Sequence, residues 1–503
     1  MKEISLDDIT SLCKRRGFIF QGSEVYGGLS GTWDYGPLGV LLKKNIQNIW
    51  WKMFVEQMDN MYGVDAAILM NQKVWQASGH VATFTDPLVE CLKCKKRLRT
   101  DKLINEDDYK NYSKEWRSQK LNSLIENDNT IRSLNRNPIP ESIDSEEAYN
   151  RSSDSIKEDI SKSKYSLGSC PRDYLNYKKV KCPNCGESGS FSYSRSFNLM
   201  FKTNVGPLDN EDSISYLRPE TAQGIFTNFK NVVDTFYPSL PFGIAQIGKA
   251  FRNEISPRDF VFRSREFEQM EIEYFINPKN WEQEFEKWVK LSEDFFKAIG
   301  LPSDSIHRLP VEKEDRAHYS ERTIDFEFDY PHGRDEISGL AYRTDFDLGN
   351  IERVSKKKME YTDKFTSEKF IPHVIEPSFG VERALMAALV SAYHEEGEGD
   401  NKRAYLKFSA DVAPIKFVVS PLVRNKDEIV TKAREVYSGL KLKYGNVLYD
   451  DNSNVGKRYR RADEIGVPKC ITIDFQTLED GTVTVRDRDT MEQIRVKIED
   501  IKL

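Results

Sequence analysis

AFRNEISPRDFVFRSREFEQMEIEYF, residues 250–275, contains two strand-like segments on either side of a turn signal. Pro257 cannot donate a hydrogen bond to a strand ladder, so the stretch predicts two antiparallel strands joined by a loop. In the second segment, a period of two places Met270, Ile272 and Tyr274 on a face that can pack against a core. The other face then carries Arg263, Arg265, Phe267, Gln269, Glu271 and Glu273. Such a face suits a ligand with an anionic part, a flat ring and a cationic part, whereas the alternative is a solvated hairpin with cross-strand ion pairs.

Four segments carry a resemblance to a known family. Arg252-Asn253-Glu254, followed by a loop and Arg263-x-x-x-Phe267, resembles motif 2 of the class II aminoacyl-tRNA synthetases in the form found in glycyl-tRNA synthetases. EPSFGVER at 376–383 resembles motif 3, while RPETAQG at 218–224 and EISGLAYRTDFDL at 336–348 are similar to two further family segments. The resemblance covers nearly the whole chain except about 106–164.

The resemblance implies an α+β fold with four parts. These are the first part of an antiparallel-sheet catalytic domain, an inserted zinc-ribbon or helical region, the rest of the catalytic domain with motifs 2 and 3, and a C-terminal α/β anticodon-binding domain. The expected boundaries are 1–90, 91–186, 187–408 and 409–503.

The same resemblance implies a glycine–tRNA ligase. Such an enzyme activates glycine with ATP and Mg²⁺ to glycyl-adenylate and transfers glycine to the 3′ end of tRNA(Gly). We expect a homodimer, because Gly36-Pro37-Leu38-Gly39 and the amphipathic helix predicted after it resemble the region of motif 1.

By motif match, three arginines are the expected catalytic groups: Arg252, Arg263 and Arg383. ATP is expected to bind these three together with Asn253, Glu254, Phe262, Ser264, Arg265, Glu266, Phe267, Glu336, Ile337, Gly380, Val381 and Glu382. Glu336 is also the expected ligand of Mg²⁺ on the nucleotide. The expected glycine-binding residues are Arg99, Glu220, Phe267, Glu268, Gln269, Met270, Glu271, Glu376, Pro377, Ser378, Phe379 and Gly380.

Some residues have an ordinary structural interpretation beside the functional one. Arg99 lies in a basic run that is as readily an exposed charged segment. His80, in Ser78-Gly79-His80, could act as a base, although an isolated histidine is more often structural. The segment Gly456–Arg461, GKRYRR, could bind single-stranded RNA or could simply be a solvated helix start.

Four of the seven cysteines form two C-x-x-C pairs, Cys91/Cys94 and Cys182/Cys185. In a reducing compartment this spacing indicates a structural zinc site, with four unligated thiols as the alternative. Between the pairs, residues 106–164 are rich in polar and charged side chains, which predicts a partly helical or mobile insertion.

Composition narrows the function classes. The formal net charge of −6 argues against a protein that coats nucleic acid indiscriminately, so any RNA contact should be local. No apolar run of membrane-spanning length occurs and residues 1–5 do not begin a signal peptide, so we expect a cytoplasmic protein. The rival classes are a catalytically silent synthetase-like accessory protein and a zinc-ribbon nucleic-acid-binding protein.

Overall fold

The computed structural model describes residues 4–100, 102–105, 112, 170–207, 210, 213–317, 319–397 and 403–503. The predicted insertion at 106–164 therefore lies outside the described residues, apart from Tyr112. The chain divides into two compact units. The first comprises 1–80, 200–252 and 257–503, and the second comprises 81–199 and 253–256.

The helices of the described residues are, in chain order, α1 (Leu6–Arg16), α2 (Pro37–Trp51), α3 (Gln72–Ala77), α4 (His80–Thr83), α5 (Cys170–Tyr177), α6 (Ala222–Phe236), α7 (Trp281–Ala298), α8 (Phe346–Ser355), α9 (Val381–Ala392), α10 (Asp427–Tyr444), α11 (Val455–Glu464) and α12 (Phe475–Asp480). No helix in the described part of the chain is long and apolar enough to span a membrane.

The strands, again in chain order, are β1 (Ile19–Gln21), β2 (Trp33–Tyr35), β3 (Met61–Gly63), β4 (Thr85–Glu90), β5 (Arg97–Arg99), β6 (Arg195–Asn198), β7 (Lys202–Asn204), β8 (Ile214–Tyr216), β9 (Phe242–Phe251), β10 (Glu266–Ile276), β11 (Ile306–Pro310), β12 (Arg322–Tyr330), β13 (Gly333–Thr344), β14 (Tyr361–Thr362), β15 (Lys369–Phe370), β16 (His373–Gly380), β17 (Tyr393–Glu396), β18 (Arg403–Leu406), β19 (Phe417–Pro421), β20 (Val447–Tyr449), β21 (Lys469–Ile473), β22 (Thr482–Asp487) and β23 (Gln493–Lys497).

A seven-stranded sheet dominates the first unit, in the order β11-β12-β13-β16-β10-β9-β3. All neighbouring strands are antiparallel except β3, which pairs in parallel with β9 at one edge. The predicted hairpin is confirmed, since β9 and β10 pair from Phe251↔Glu266 to Phe242↔Phe275. Met270, Ile272 and Tyr274 are buried in the core beneath this sheet, as their alternation predicts.

The placement of Arg263 and Arg265 on the second strand was wrong. A helical turn at Phe260–Phe262 precedes them, and β10 begins only at Glu266. The backbone N–H of Arg265 donates instead to Gly31. Because Asp259 and Phe260 both have positive φ, the chain turns sharply there and cannot continue the strand back to residue 263.

Helices α2, α7 and α9 pack on the core face of the sheet, where Trp50, Phe54, Trp288 and Phe379 are fully or almost fully buried. The predicted strand-to-helix passage at motif 3 is confirmed, with β16 running directly into α9. On the opposite face, α6 buries Phe226 and Phe229 against Phe242 and Phe275.

The C-terminal part of the first unit is a separate mixed sheet in the order β20-β19-β21-β22-β23. β19 pairs in parallel with β20 and β21, whereas β22 and β23 continue antiparallel. Its core contains Phe417, Val419, Ile471 and Val483 under α10. This arrangement confirms the expected α/β character of the C-terminal domain.

The second unit is built on the three-stranded sheet β5-β4-β6 and helix α5. In the described part of this unit, the buried hydrophobic cluster consists of Val89, Cys91, Tyr174, Leu175, Cys182 and Phe191. The strands β4 and β6 belong to this unit, which is therefore wider than the predicted region 91–186.

Candidate active site

A buried acidic cluster lies where β10 and β16 pair. Glu271 is opposite Ser378 in the register, and the Ser378 hydroxyl donates to the Glu271 carboxylate over 2.8 Å. The Thr221 hydroxyl donates to the other oxygen of Glu271. Carboxylate oxygens of Glu271, Glu273 and Glu376 all lie within 4.8 Å of one another, and we call these three residues the acidic cluster.

Arg343 is the buried cation of this region. Its guanidinium makes two hydrogen bonds to Asp347, of 2.7 and 2.9 Å, and one of 2.5 Å to Glu376. It also lies 3.7 Å from the ring centroid of Tyr319. Arg343 is only 1% exposed, so its charge is neutralised by these carboxylates rather than by water.

The members of the cluster are pushed toward their neutral forms. Burial, followed by the charge of Glu220, raises the pKa of Glu271. Burial and the Glu376 carboxyl raise the pKa of Glu273 well above its ordinary value, and burial does the same for Glu376, only partly opposed by Arg343. Like charges this close cannot all ionise in a site shielded from water.

Glu220 behaves differently although it is also buried. Burial disfavours its charged form, but His80, Arg343 and Arg252 outweigh that effect and hold the pKa of Glu220 well below its ordinary range. The closest of these groups is His80, whose Nε2 lies 3.4 Å from a Glu220 oxygen. The other ring nitrogen of His80 is 2.8 Å from the Ser78 hydroxyl. Glu220 is thus a fixed anion near the acidic cluster.

The charges of the three expected catalytic arginines all act on one carboxylate, Glu336, and Arg383 contacts it directly. Arg383 Nη1 lies 2.9 Å from Glu336 Oε2 and also donates to the Glu336 carbonyl over 3.1 Å. The pKa of Glu336 is lowered by Arg383 first, against the effect of burial, and further by the charges of Arg252 and Arg263. Positive charge from three separate segments is therefore concentrated around this site.

Aromatic rings accompany the arginines. The Arg252 guanidinium lies 5.3 Å from the ring centroid of Phe267, and its Nε donates to the Pro219 carbonyl over 3.1 Å. Arg383 lies 4.6 Å from the ring centroid of Phe262. The Phe267 ring remains partly accessible, whereas Phe262 is buried. A flat ligand could stack on the former but not on the latter.

Two expected site residues direct their side chains away from the acidic cluster. Glu268 contacts Lys43 over 2.6 Å and Gln47 over 2.5 Å, both on α2. Glu382 accepts from the Glu268 backbone N–H over 2.8 Å and from the Tyr35 hydroxyl over 3.2 Å. Adjacent strand residues face opposite sides of a sheet, so Glu268 cannot share the face of Gln269 and Glu271.

The remaining expected residues occupy several environments. Side chains in the hydrophobic core, which leave only backbone atoms for a ligand, are those of Phe262, Met270, Ile337, Phe379 and Val381. Ser264 donates to the Val261 carbonyl, Arg265 to the Ser30 carbonyl, and Glu266 pairs with Lys249 at the surface. Gly380 packs beside the Arg383 stem, and Pro377 pairs with Leu340. Arg99, Asn253 and Glu254 belong to the second unit, where Arg99 forms a 2.6 Å ion pair with Asp86.

The sequence prediction missed several residues that the fold brings to this region: Thr221, Gln223, Asp325, Tyr319, Arg343 and Asp347. Arg343 and Asp347 are four residues apart in a quoted motif, and that spacing was the available signal. For Asp325, the available signal was the segment Asp325-Phe326-Glu327, which resembles a family D-x-E pattern. Asp325 lies beside Glu336, and burial, followed by the Glu336 charge, raises its pKa to about 7.

The two C-x-x-C pairs come together in the second unit. Cys91 and Cys185 sulfurs are 3.7 Å apart, and Cys94 and Cys182 sulfurs are 3.8 Å apart. A tetrahedron with Zn–S distances of about 2.3 Å has edges of about 3.8 Å. Gly186, with φ of 72°, reverses the chain after the second pair. The four thiols thus fit a tetrahedral zinc ion.

In the basic segment at 456–461, two arginines make hydrogen bonds within the folded chain. Arg458 is 3% exposed and donates to backbone carbonyls, including those of Pro421 and Ser453. Arg461 makes a bidentate pair with Asp450, with bonds of 2.7 to 3.1 Å. Lys457 and Arg460 are exposed. The structural interpretation of this segment therefore holds for Arg458 and Arg461.

Comparisons with known proteins agree on one family. Residues 201–393 match the tRNA synthetase class II core domain (G, H, P, S and T), and residues 416–502 match an anticodon binding domain. The chain is 44% identical to the glycine–tRNA ligase of Malacoplasma penetrans over 100% of its length and 97% of that protein. It is 45% identical to the glycine–tRNA ligase of Clostridium tetani, over 99% and 97% of the two chains. The Deinococcus radiodurans glycine–tRNA ligase is 44% identical over 100% of this chain and 98% of its own.

Among solved structures, Giardia lamblia prolyl-tRNA synthetase in complex with prolyl-adenylate is similar in fold. The TM-score is 0.60 at 14% sequence identity, over 99% of this chain and 76% of the other. At that identity the likeness concerns the fold alone.

Proposed function

The chain belongs to the glycine–tRNA ligases, a family of class II aminoacyl-tRNA synthetases, and from this membership we propose which side chains perform each part of its reaction. As such a ligase, it activates glycine with ATP and then charges tRNA. The glycine carboxylate attacks the α-phosphate of ATP and pyrophosphate leaves. A terminal ribose hydroxyl of tRNA(Gly) then attacks the glycyl-adenylate carbonyl and AMP leaves.

The contact of Arg383 with Glu336, together with the charges of Arg252 and Arg263 that act on the same carboxylate, supports the assignment of the nucleotide site. In our proposal Arg252 neutralises charge that develops on the α-phosphate, while Arg263 and Arg383 hold the terminal phosphates. Phe267, beside Arg252, stacks on adenine. No protein nucleophile is required, because positioning and charge neutralisation supply the rate enhancement.

Mg²⁺ fits the carboxylates beside these arginines. Mg²⁺ on a nucleotide needs only one or two protein carboxylates, and Glu336 and Asp325 each place an oxygen 3.8 Å from the position of a Cβ on Gly339. We assign Glu336 as the principal ligand. When bound, the ion would neutralise phosphate charge.

Glycine would bind at the other end of the site. We assign its ammonium to Glu220, Glu271 and Glu376, together with the Ser378 hydroxyl that already contacts Glu271. A buried carboxylate cluster binds a small cationic group favourably. A side chain on the substrate would clash with the residues that enclose the cluster, so alanine should be excluded.

Replacing Arg252 with glutamine tests the nucleotide assignment. Loss of one preorganised charged donor costs about 3–4 kcal/mol at the transition state, so glycine-dependent ATP–pyrophosphate exchange should fall by two to three orders of magnitude. Arg258→Gln is the matched control, since Arg258 lies in the same loop and pairs with neighbouring Asp259. Exchange above a tenth of the wild-type rate in Arg252→Gln would refute the role. Exchange with glycine but not with alanine separates the enzyme from a silent accessory protein.

Other assignments concern the rest of the chain. Zinc held by Cys91, Cys94, Cys182 and Cys185 would stabilise the second unit in addition to its hydrophobic cluster. Residues 409–503 would bind the anticodon region of tRNA(Gly), in keeping with the matched anticodon binding domain. We place the enzyme in the cytoplasm, where cell fractionation should find it.

A homodimer would cover the exposed edge of the main sheet. Strand β3 pairs on one side only among the described residues, and Tyr62 on it contacts Phe236 at 5.0 Å between ring centroids. Phe236 is 60% exposed and the adjacent Tyr237 is 67% exposed. An open strand edge flanked by exposed rings is an association surface. Sedimentation should therefore show a particle of twice the chain mass, and a monomer would contradict the assignment.

A further inference from the structure

Glu273 has no part in the reaction as assigned above, yet it lies in the acidic cluster. It is 0% exposed, and neither carboxylate oxygen has a hydrogen-bond partner among the residues that the structure describes. It is on the same face of β10 as Glu271, two residues further along. Its strand partner Ile244 belongs to the hydrophobic cluster that includes Phe226 and Phe229 of α6. An ionised carboxylate is poorly accommodated in such a place.

The charged groups around Glu273 do not balance. Among the described residues, the groups that act on Glu273 are Glu376 on β16, Glu271 on β10 and Asp347 on α8, with Arg343 on β13 as the cation. That cation is already engaged by Asp347 and Glu376. Arg218 acts on Glu271, while His80 and Arg252 act on Glu220, so the four carboxyl groups nearest in effect to Glu273, its own included, share one guanidinium. At least one carboxyl must therefore hold a proton when no other cation is present.

Hydrogen bonding indicates which carboxyl holds that proton. Glu271 accepts from the hydroxyls of Ser378 and Thr221, and Glu376 accepts from Arg343. Donors stabilise the ionised form of a carboxyl, and Glu273 has none among the described residues. The direction of its pKa, raised chiefly by burial and then by Glu376, agrees with this geometry.

We propose that Glu273 carries a proton in the ligand-free enzyme and gives it up to solvent when the glycine ammonium enters the acidic cluster. The exchange is balanced, because one positive charge leaves as a proton and one arrives as the ammonium. Glu273 is then a positioning residue that acts through Glu271 and Glu376. This inference rests on the proposed glycine site. It makes glycine binding dependent on pH through a carboxyl that does not itself contact the substrate.

Calorimetry with glycine alone, in two buffers of different ionisation enthalpy near neutral pH, counts the protons released. We expect about one proton per glycine for the wild type and close to none for Glu273→Gln, which keeps the shape of a neutral carboxylic acid but cannot ionise. Glu286→Gln is the control, since Glu286 is an exposed carboxylate on α7 that pairs with Arg322. It should release the same number of protons as the wild type.

A second measurement covers the case in which Glu273→Gln binds glycine too weakly for calorimetry. Release of one proton makes the glycine KM fall by about tenfold per pH unit as the pH rises toward the pKa of Glu273, and Glu273→Gln should flatten that dependence. No proton release by the wild type, or equal release by Glu273→Gln, would overturn the inference and leave the proposed function intact. A wild type that neither binds glycine nor shows exchange would overturn both.

Discussion

At the scale of single residues, the side of a strand decides what a carboxylate does. Glu268 and Glu271 are three positions apart on β10, yet Glu268 pairs with Lys43 on α2 while Glu271 lies in the acidic cluster. The Glu382 side chain also points away from the acidic cluster, because it accepts a hydrogen bond from the Glu268 backbone N–H. Burial is the largest cause that raises its pKa, to about 7, and the Glu268 charge adds to it. The Glu382 side chain thus has Tyr35 and the Glu268 backbone as partners.

Glu382→Gln should change how stability depends on pH. The pKa of Glu382 in the folded chain, about 7, lies above the ordinary value of 4.5, so the fold favours the protonated form. Its contribution is fully present below about pH 4.5 and is lost as pH rises through 7, a change on the order of 3 kcal/mol. Glutamine stays neutral, so the variant should gain stability relative to the wild type between pH 5 and pH 8 in thermal or urea unfolding. A difference that is the same at both pH values would contradict this.

At the scale of elements, α2 depends on close backbone packing at its first turn. Its N-terminal Pro37 confirms the predicted helix start, and Leu42, Ile46 and Trp50 enter the core. Leu38 and Leu41 pack instead against the cluster that contains Ile415 and Val418. A Cβ on Gly39 would overlap the carbonyl oxygen of Phe18. The glycine is needed because the helix lies against another backbone segment rather than against movable side chains.

Gly39→Ala should destabilise the protein by about 1–3 kcal/mol, or more if the backbone near Phe18 cannot shift. The matched control is Gly439→Ala in α10, where an added Cβ meets no atom within 4 Å. Alanine has the higher helix propensity, so the control should stabilise by about 0.5–1 kcal/mol. Thermal unfolding of the two variants checks the pair, and shifts of the same sign would refute the packing argument.

At the scale of the whole molecule, the two compact units have very different means of stabilisation. The first holds large cores beneath its two largest sheets, whereas the hydrophobic cluster of the second, among the residues that the structure describes, has six members, two of which are the thiols Cys91 and Cys182. A core of that size supplies little free energy of folding, which is why a structural metal would matter there.

Cys182→Ser, or treatment with a zinc chelator, should remove stoichiometric zinc and lower the unfolding temperature. Structural zinc couples directly to folding, because its four-thiolate site does not exist in the unfolded chain. Cys13→Ala is the control. It removes a buried thiol from the core of the first unit, so it should lower stability without changing the zinc content measured by elemental analysis. Protein that contains no zinc and is unaffected by Cys182→Ser would contradict the metal assignment.

Much of the fold could be predicted from local sequence. The capping box of Ser5 and Asp8, the left-handed Gly17 that ends α1, the strand pairing around Pro257 and the β16–α9 passage each depend on residues close in the chain. The motifs were equally local, and they identified the family later shown by the comparisons. For the site, the sequence predicted which residues belong to the motifs but not which way their side chains point, since the prediction named Glu268, Glu271 and Glu382 alike.

The sequence by itself determined the elements, their order and the family, because propensity, periodicity and turn chemistry act over a few residues. Only the tertiary structure decided that Arg263 leaves the strand, that Arg343 neutralises Asp347 and Glu376, and that Glu273 is left without a donor among the described residues. These outcomes depend on pairing between distant segments, such as Glu271 with Ser378, which are 107 residues apart. Charge balance in a buried site is a sum over such partners, and no local pattern contains it.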